Sequence, residues 1–164
     1  MELDRQRFIS AMRCIANSVA VVTTDGCAGR QGATVSAFCS VSADPPTILI
    51  CLNSKSRINQ AVKSNKKFNL NVLPQNANYI AQRFAGAHDA EVSDRFDGMD
   101  IKMGEVPSIT GATVLFCHVD EVITSGTHEI ITARVRLVDT SSKQPLAYLD
   151  GAYHQVKPLA LETV

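Results

Sequence analysis

Apolar positions along this chain change period several times, and each change marks an element. In LDRQRFISAMRCIA, Phe8, Ile9, Met12, Ile15 and Ala16 recur at helical spacing, which predicts a short amphipathic N-terminal helix. SVAVVTT then turns to β-branched residues, and the glycine-rich DGCAGRQG reads as a hairpin-type connector. ATVSAFCSVS alternates with a period of two. Thr34, Ser36, Phe38, Ser40 and Ser42 fall on one face, and the small apolar Ala33, Val35, Ala37, Cys39 and Val41 form a core-facing one. Pro45 and Pro46 end that strand, because proline cannot continue a ladder. TILICL is apolar throughout and reads as a strand covered on both faces.

SRINQAVKSN is helical, with Ser54 or Ser56 as its cap. KKFNLNVL predicts a strand, and QNANYIAQRFAG a helix closing at Gly86. Residues 87 to 111 are acidic and punctuated by glycine, a long loop. ATVLFCHVDEVI, HEIITARVRLVD and PLAYLDGAYHQV are rich in strand formers again. Seven candidate strands with short helices between them predict one mainly β, α+β domain over residues 1–164, built on an antiparallel barrel. The alternation of helix and strand is too irregular for a doubly wound parallel sheet.

Charge changes the picture through its placement. Sixteen basic and sixteen acidic residues cancel over 164 positions, which argues against non-specific nucleic-acid or membrane binding. Pro45 to His88, however, holds Lys55, Arg57, Lys63, Lys66, Lys67 and Arg83 with no acid, six minus none or +6. Asp89 to Glu105 holds six acids against Arg95 and Lys102, or −4. Either the fold neutralises itself across a surface, or the basic stretch receives a phosphorylated ligand. The cysteines are Cys14, Cys27, Cys39, Cys51 and Cys117, an odd number without C-x-x-C. They read as small buried hydrophobes in a reducing compartment, the cytoplasm. No secretory pattern opens the chain, no run approaches a membrane span, and no histidine pair has metal-ligand spacing.

The chemistry gathers at ICLNSKSR. A buried strand that exits into the first turn of a helix offers free N–H groups and the positive end of a dipole. Asn53, Ser54 and Ser56 add hydrogen-bonding side chains there, while Lys55 and Arg57 add charge. The plainer alternative is a capping serine beside solvated cations. The hydroxyls of Thr34, Ser36 and Ser40 on a neighbouring strand would suit a donor-rich ring attached to the phosphate, and a flavin is such a ring.

SVAVVTTDG, GATVSAFCSVSADPPTILICLNSKS, FNLNVL, AQRFAG, RF, SGTHEII and PLAYLDGAYHQV, in this order and spacing, resemble the short-chain flavin reductase family. More narrowly they are similar to the reductase component of two-component aromatic hydroxylases of the 4-hydroxyphenylacetate 3-monooxygenase type. The resemblance runs from about residue 3 to about residue 157. It implies the FMN-binding split barrel, a six-stranded antiparallel Greek-key barrel with short flanking helices, working as a homodimer.

By that resemblance Thr34, Ser36 and Ala37 contact the flavin ring with Ser40 near. Leu52, Asn53, Ser54, Ser56 and Arg57 hold the ribityl chain and phosphate, and Phe84, Ala85 and Gly86 close over the flavin. His128 lies beside the nicotinamide and carries the catalytic assignment; relatives often have Gly-Asp-His there, whereas this chain has Thr127 before it. Tyr148, Asp150 and Tyr153 border the nicotinamide. The implied reaction is hydride transfer from NADH, or NADPH, to FAD or FMN. The reduced flavin then leaves for a separate oxygenase that hydroxylates an aromatic compound. Two alternatives stand beside it: a non-catalytic flavin- or haem-binding split-barrel protein, and a single-strand nucleic-acid barrel, for which the aromatic stacking platforms are missing.

Overall fold

A computed structural model describes residues 4–159. Among the described residues the fold is mainly β, antiparallel throughout, with three short helices. In chain order the elements are α1 (Arg5–Arg13), β1 (Asn17–Ser18), β2 (Ala20–Thr24), β3 (Gln31–Val35), β4 (Phe38–Ala43), β5 (Pro46–Asn53), α2 (Arg57–Asn65), β6 (Lys67–Val72) and α3 (Asn78–Phe84). Then follow β7 (Ile101–Lys102), β8 (Ser108–Ile109), β9 (Thr113–Ser125), β10 (His128–Asp139), β11 (Leu146–Leu149) and β12 (Ala152–Gln155).

The main sheet runs β3-β2-β6-β9-β10-β5-β4. Its two edges are consecutive in sequence. Val35 pairs with Ala20 at one edge and Phe38 with Ile50 at the other, so the chain crosses between edges within Ser36 and Ala37. The N–H of Cys51 donates to the Ala37 carbonyl across that gap at 2.9 Å. The sheet therefore curls on itself, and one bent strand supplies both edges.

This bend corrects the expected face assignment. ATVSAFCSVS is two strands, and the break inverts which residues face inward. Val35 is buried, but beyond the break Phe38 packs on the core while Cys39 and Val41 are exposed. TILICL is covered fully on one face only: Ile48, Ile50 and Leu52 are buried, while Leu49 and Cys51 are half-buried.

Two cores share β2, whose five residues are all buried. Ala20 and Val22 join Ile50, Phe68, Leu70 and Ile131 inside the curled sheet, which α2 enters with Ile58 and Val62. Val21, with Val19, packs with Leu73, Ala81, Phe84 and Ile109 under α3. Each large side chain so buried contributes about 1.5–3 kcal/mol. The two asparagines of FNLNVL are also buried, because they hold the strap that follows α3. The Asn69 amide donates to the Val106 carbonyl at 2.9 Å, and the Asn71 carbonyl accepts from the Ile109 N–H at 2.8 Å. The expected long loop thus contains the short β7–β8 pair and is bound to the sheet. Helix α1 differs: none of its residues is buried, and Phe8 and Met12 are about half exposed.

Candidate functional site

A cavity of about 290 Å³ opens at the break between β3 and β4. Ser36 and Ala37 line it, lying outside the register of either half-strand. The end of β5 contributes Cys51, Leu52 and Asn53, α2 contributes Ser56 and Ile58, and β10 contributes His128. The pairing explains this gathering, since His128 stands opposite Asn53 in the ladder and begins its strand where β5 ends. A larger cavity of about 650 Å³ shares Ala33, Ser56 and Ile58 with the first and adds Arg30, Arg57 and residues 92 to 96. A third, of about 530 Å³, shares Ser36, Ala37 and Cys51 and is floored by α1 and the β11–β12 turn. The three form one groove along the seam of the sheet.

Ser56 caps α2: its hydroxyl accepts from the Asn59 N–H at 3.3 Å and donates to the Asn53 carbonyl at 2.7 Å. Asn53 shapes the approach, its side-chain oxygen accepting from the Lys55 N–H at 2.9 Å. Ser54 turns elsewhere, because its N–H and its hydroxyl both donate to the Thr127 carbonyl at 3.1 Å. That ties the loop to the turn before His128. Arg57, the first residue of α2, lines the larger cavity with no hydrogen bond or ion pair among the described residues.

Thr34 lines the cavity, but its hydroxyl donates to the Ala81 carbonyl at 2.6 Å and so anchors β3 to α3. Ser40 lies beyond the break, exposed, opposite Ile48 and outside the groove. Phe84 is fully buried in the second core, edge-on to Phe96 at 5.0 Å. Ala85 closes α3, and Gly86 follows at φ +94°, where an added Cβ would meet the Arg95 guanidinium at 2.8 Å. Phe84, Ala85 and Gly86 thus support the wall and do not line the groove. Tyr148 and Asp150 line the third cavity. Asp150 is held by Arg13 at 2.8 Å, and Tyr148 meets Tyr153 at 5.4 Å between ring centroids. Burial, with the nearby Tyr148, pushes the Tyr153 phenol up.

Residues 12–157 match the flavin reductase like domain. The chain belongs to that family. It is 35% identical over 155 residues to the FMN reductase (NADH) RutF of Enterobacter cloacae, spanning 92% of this chain and 93% of that protein. The NADH:FAD oxidoreductase SgcE6 of Streptomyces globisporus C-1027, solved in complex with NAD and FAD fragments, matches with a TM-score of 0.85 and 26% identity, covering 100% of both chains. The styrene monooxygenase flavin reductase of Pseudomonas putida S12 matches with a TM-score of 0.82 and 25% identity, over 94% of this chain and 99% of that one.

In this flavin reductase-like domain the larger cavity is walled by residues that pattern reading passed over as a loop. The Arg95 guanidinium forks onto both Asp89 oxygens at 2.8 and 2.6 Å and donates to the Phe84 carbonyl at 2.8 Å. Arg30 pairs with Asp94 and lies over the Phe96 ring at 4.7 Å from its centroid. The Arg95 bond holds the Asp89 carboxyl below its ordinary range. For Asp94 burial pushes upward, but the Phe96 N–H and Arg30 outweigh it, and its carboxyl also titrates low. The signal for this wall was present as the acidic run opposite scattered arginines. Arg95 and Asp89 stand six residues apart in an irregular loop and Arg30 stands 64 residues from Asp94, so no helical or strand spacing pointed to the wall.

Proposed function

We propose that this chain is an NADH-dependent flavin reductase on an FMN-binding split barrel. It reduces FAD or FMN and releases it to a separate monooxygenase that hydroxylates an aromatic compound. Family membership supports the reductase reading, and the activities named for the relatives support both flavins and NADH, with NADPH the other candidate donor. Counting β3 and β4 as one bent strand gives the main sheet six strands, which supports the Greek-key split barrel. The observation that carries the proposal is the convergence of Ser36, Ala37, Ser56 and His128 on one cavity beside Arg57.

The residues present fit a flavin nucleotide. Donors at the ladder break and a capped helix start with an unpaired arginine lie within adjoining cavities. When bound, the flavin supplies a ring that accepts a hydride from the nicotinamide. Arg57 and the first free N–H groups of α2 bind the phosphate, while the Ser56 hydroxyl, committed to the Asn53 carbonyl and the Asn59 N–H, holds the helix start in place. Ser36 and Ala37 orient the ring, and Thr34 contributes mainly by fixing β3. Leu52 and Asn53 bound the ribityl path. His128 borders the nicotinamide, and Tyr148 and Asp150 approach it from the third cavity.

The half-exposed apolar side chains of α1, together with Val41, support a homodimer in which a second copy covers that face. Only Cys117 is buried as expected, Cys51 is half-buried and Cys14, Cys27 and Cys39 are exposed; that all the described cysteines are free thiols supports a reducing, cytoplasmic setting. No helix among the described residues is long and apolar enough to cross a membrane.

The test is NADH oxidation by purified protein with riboflavin, FMN, FAD or no flavin. The reading requires turnover only when flavin is added. Turnover without flavin, or none with any flavin, overturns it. The same assay separates a reductase from a non-catalytic flavin or haem binder.

A further inference from the structure

A cavity of about 390 Å³ lies at the end of β10 remote from His128, between the outer faces of β6, β9 and β10 and the strap ahead of β8. Its apolar surface comes from Phe116, Met103 and Leu137, and the last two are 70% and 61% exposed. Such side chains left open beside aromatic surface mark a place where something can bind.

The charges around it are unequal. Lys67 pairs with Glu105, and Lys102 with Asp139 at 3.3 Å. Arg136 has no hydrogen bond or ion pair among the described residues. Three cations less two carboxylates leave one positive charge, with His118 counted as neutral. Arg136 is also the extra residue of a β-bulge: Val135 stands opposite Cys117 and Leu137 opposite Phe116, the next residue along, so nothing pairs with Arg136. Bulges re-aim the side chain they insert, and here Arg136 lines the cavity beside Phe116 and Leu137.

We propose that this cavity binds a small aromatic carboxylate, with Arg136 as the anchoring cation. A guanidinium fork matches a carboxylate in two parallel hydrogen bonds. Phe116 and the Met103 thioether suit an aromatic ring. The volume sits at the low end of the range of about 300–1,000 Å³ seen for small-molecule sites, which selects a one- or two-ring acid. One carboxylate neutralises the single excess charge.

The full chain carrying ¹³C-methyl methionine is titrated with benzoate, benzamide and acetate while the methyl resonances are followed. Met103 reads this cavity, and Met12 and Met99 serve as internal controls. Benzoate should shift the Met103 methyl saturably below about 10 mM, while benzamide and acetate should not. Arg136→Met and Leu137→Glu should each weaken benzoate about tenfold or more. Both should leave flavin-dependent NADH oxidation at its native rate, which shows that they fold. The proposal is overturned if benzoate does not saturate, if benzamide titrates Met103 equally well, if both variants bind as the native chain does, or if Met12 moves most.

Discussion

At the scale of single residues, hydrogen-bond partners sort the polar side chains around the groove. Arg57 is uncommitted, whereas the Ser54 hydroxyl is spent on the Thr127 carbonyl. Arg57→Gln should therefore weaken FMN and FAD about tenfold or more, near 1.4 kcal/mol, and leave riboflavin unchanged. Ser54→Ala should change none of the three. Flavin fluorescence titration reads both outcomes. His128→Ala should raise the NADH KM or lower kcat while flavin affinity holds, because its ring lines the cavity of Ser36 and Ala37 on the side proposed for the nicotinamide and makes no bond to the phosphate-binding start of α2. Equal loss of flavin affinity would place His128 in the flavin site.

Elements are where sequence reading succeeded most and failed most instructively. The helix start at ICLNSKSR was legible because capping chemistry is local: a strand, then Ser56, then Arg57. The break at Ser36–Ala37 was not, because a period of two continues through a bend although the face it serves has switched. The wall built from residues 89 to 96 was hidden for the opposite reason, since Arg30 finds Asp94 at 64 residues' distance and Arg83 finds the carbonyls of Asp94, Arg95 and Asp97 11 to 14 residues on.

Glu129 shows how α2 is seated. Its carboxylate accepts from the Asn59 amide at 2.6 Å and pairs with Lys63 at 2.9 Å, locking the helix to the strand that begins at His128. The bond from Lys63 and then that from Asn59 hold the Glu129 carboxyl below its ordinary range. A lowered folded-state value stabilises the protein above the unfolded value of about 4.3 and loses that contribution as pH falls through the folded value. Thermal melts should hold from neutral pH to about pH 5 and then fall. Glu129→Gln should melt lower than native at neutral pH, and the gap should narrow in acid. Within the same element pair, Ser56→Ala should cost about 1 kcal/mol of stability through the lost cap.

For the whole molecule, the half-exposed apolar side chains of α1 are the feature that bears on assembly. A second copy would cover Phe8, Met12 and Val41, each about half exposed. Met12→Glu with Val41→Glu should convert a dimer to a monomer in analytical ultracentrifugation. A native chain that sediments as a monomer would remove the dimer from the proposal. The mainly β class was legible because strand formers recur along the chain. A barrel was also expected from the strand candidates, but the way one bent strand serves both edges of the sheet was not legible, since the period of two runs on through the break.

That doubly used strand has a mechanical consequence. The seam is the place where ladder bonding lapses, and it coincides with the floor of the groove. Any molecule hydrogen-bonded to Ser36 and Ala37 acts as a keystone there, adding bonds where the chain's own stitch is the Cys51 N–H to the Ala37 carbonyl. Occupancy should therefore slow amide exchange in β3 and β4 before it does so in β9, far from the gap.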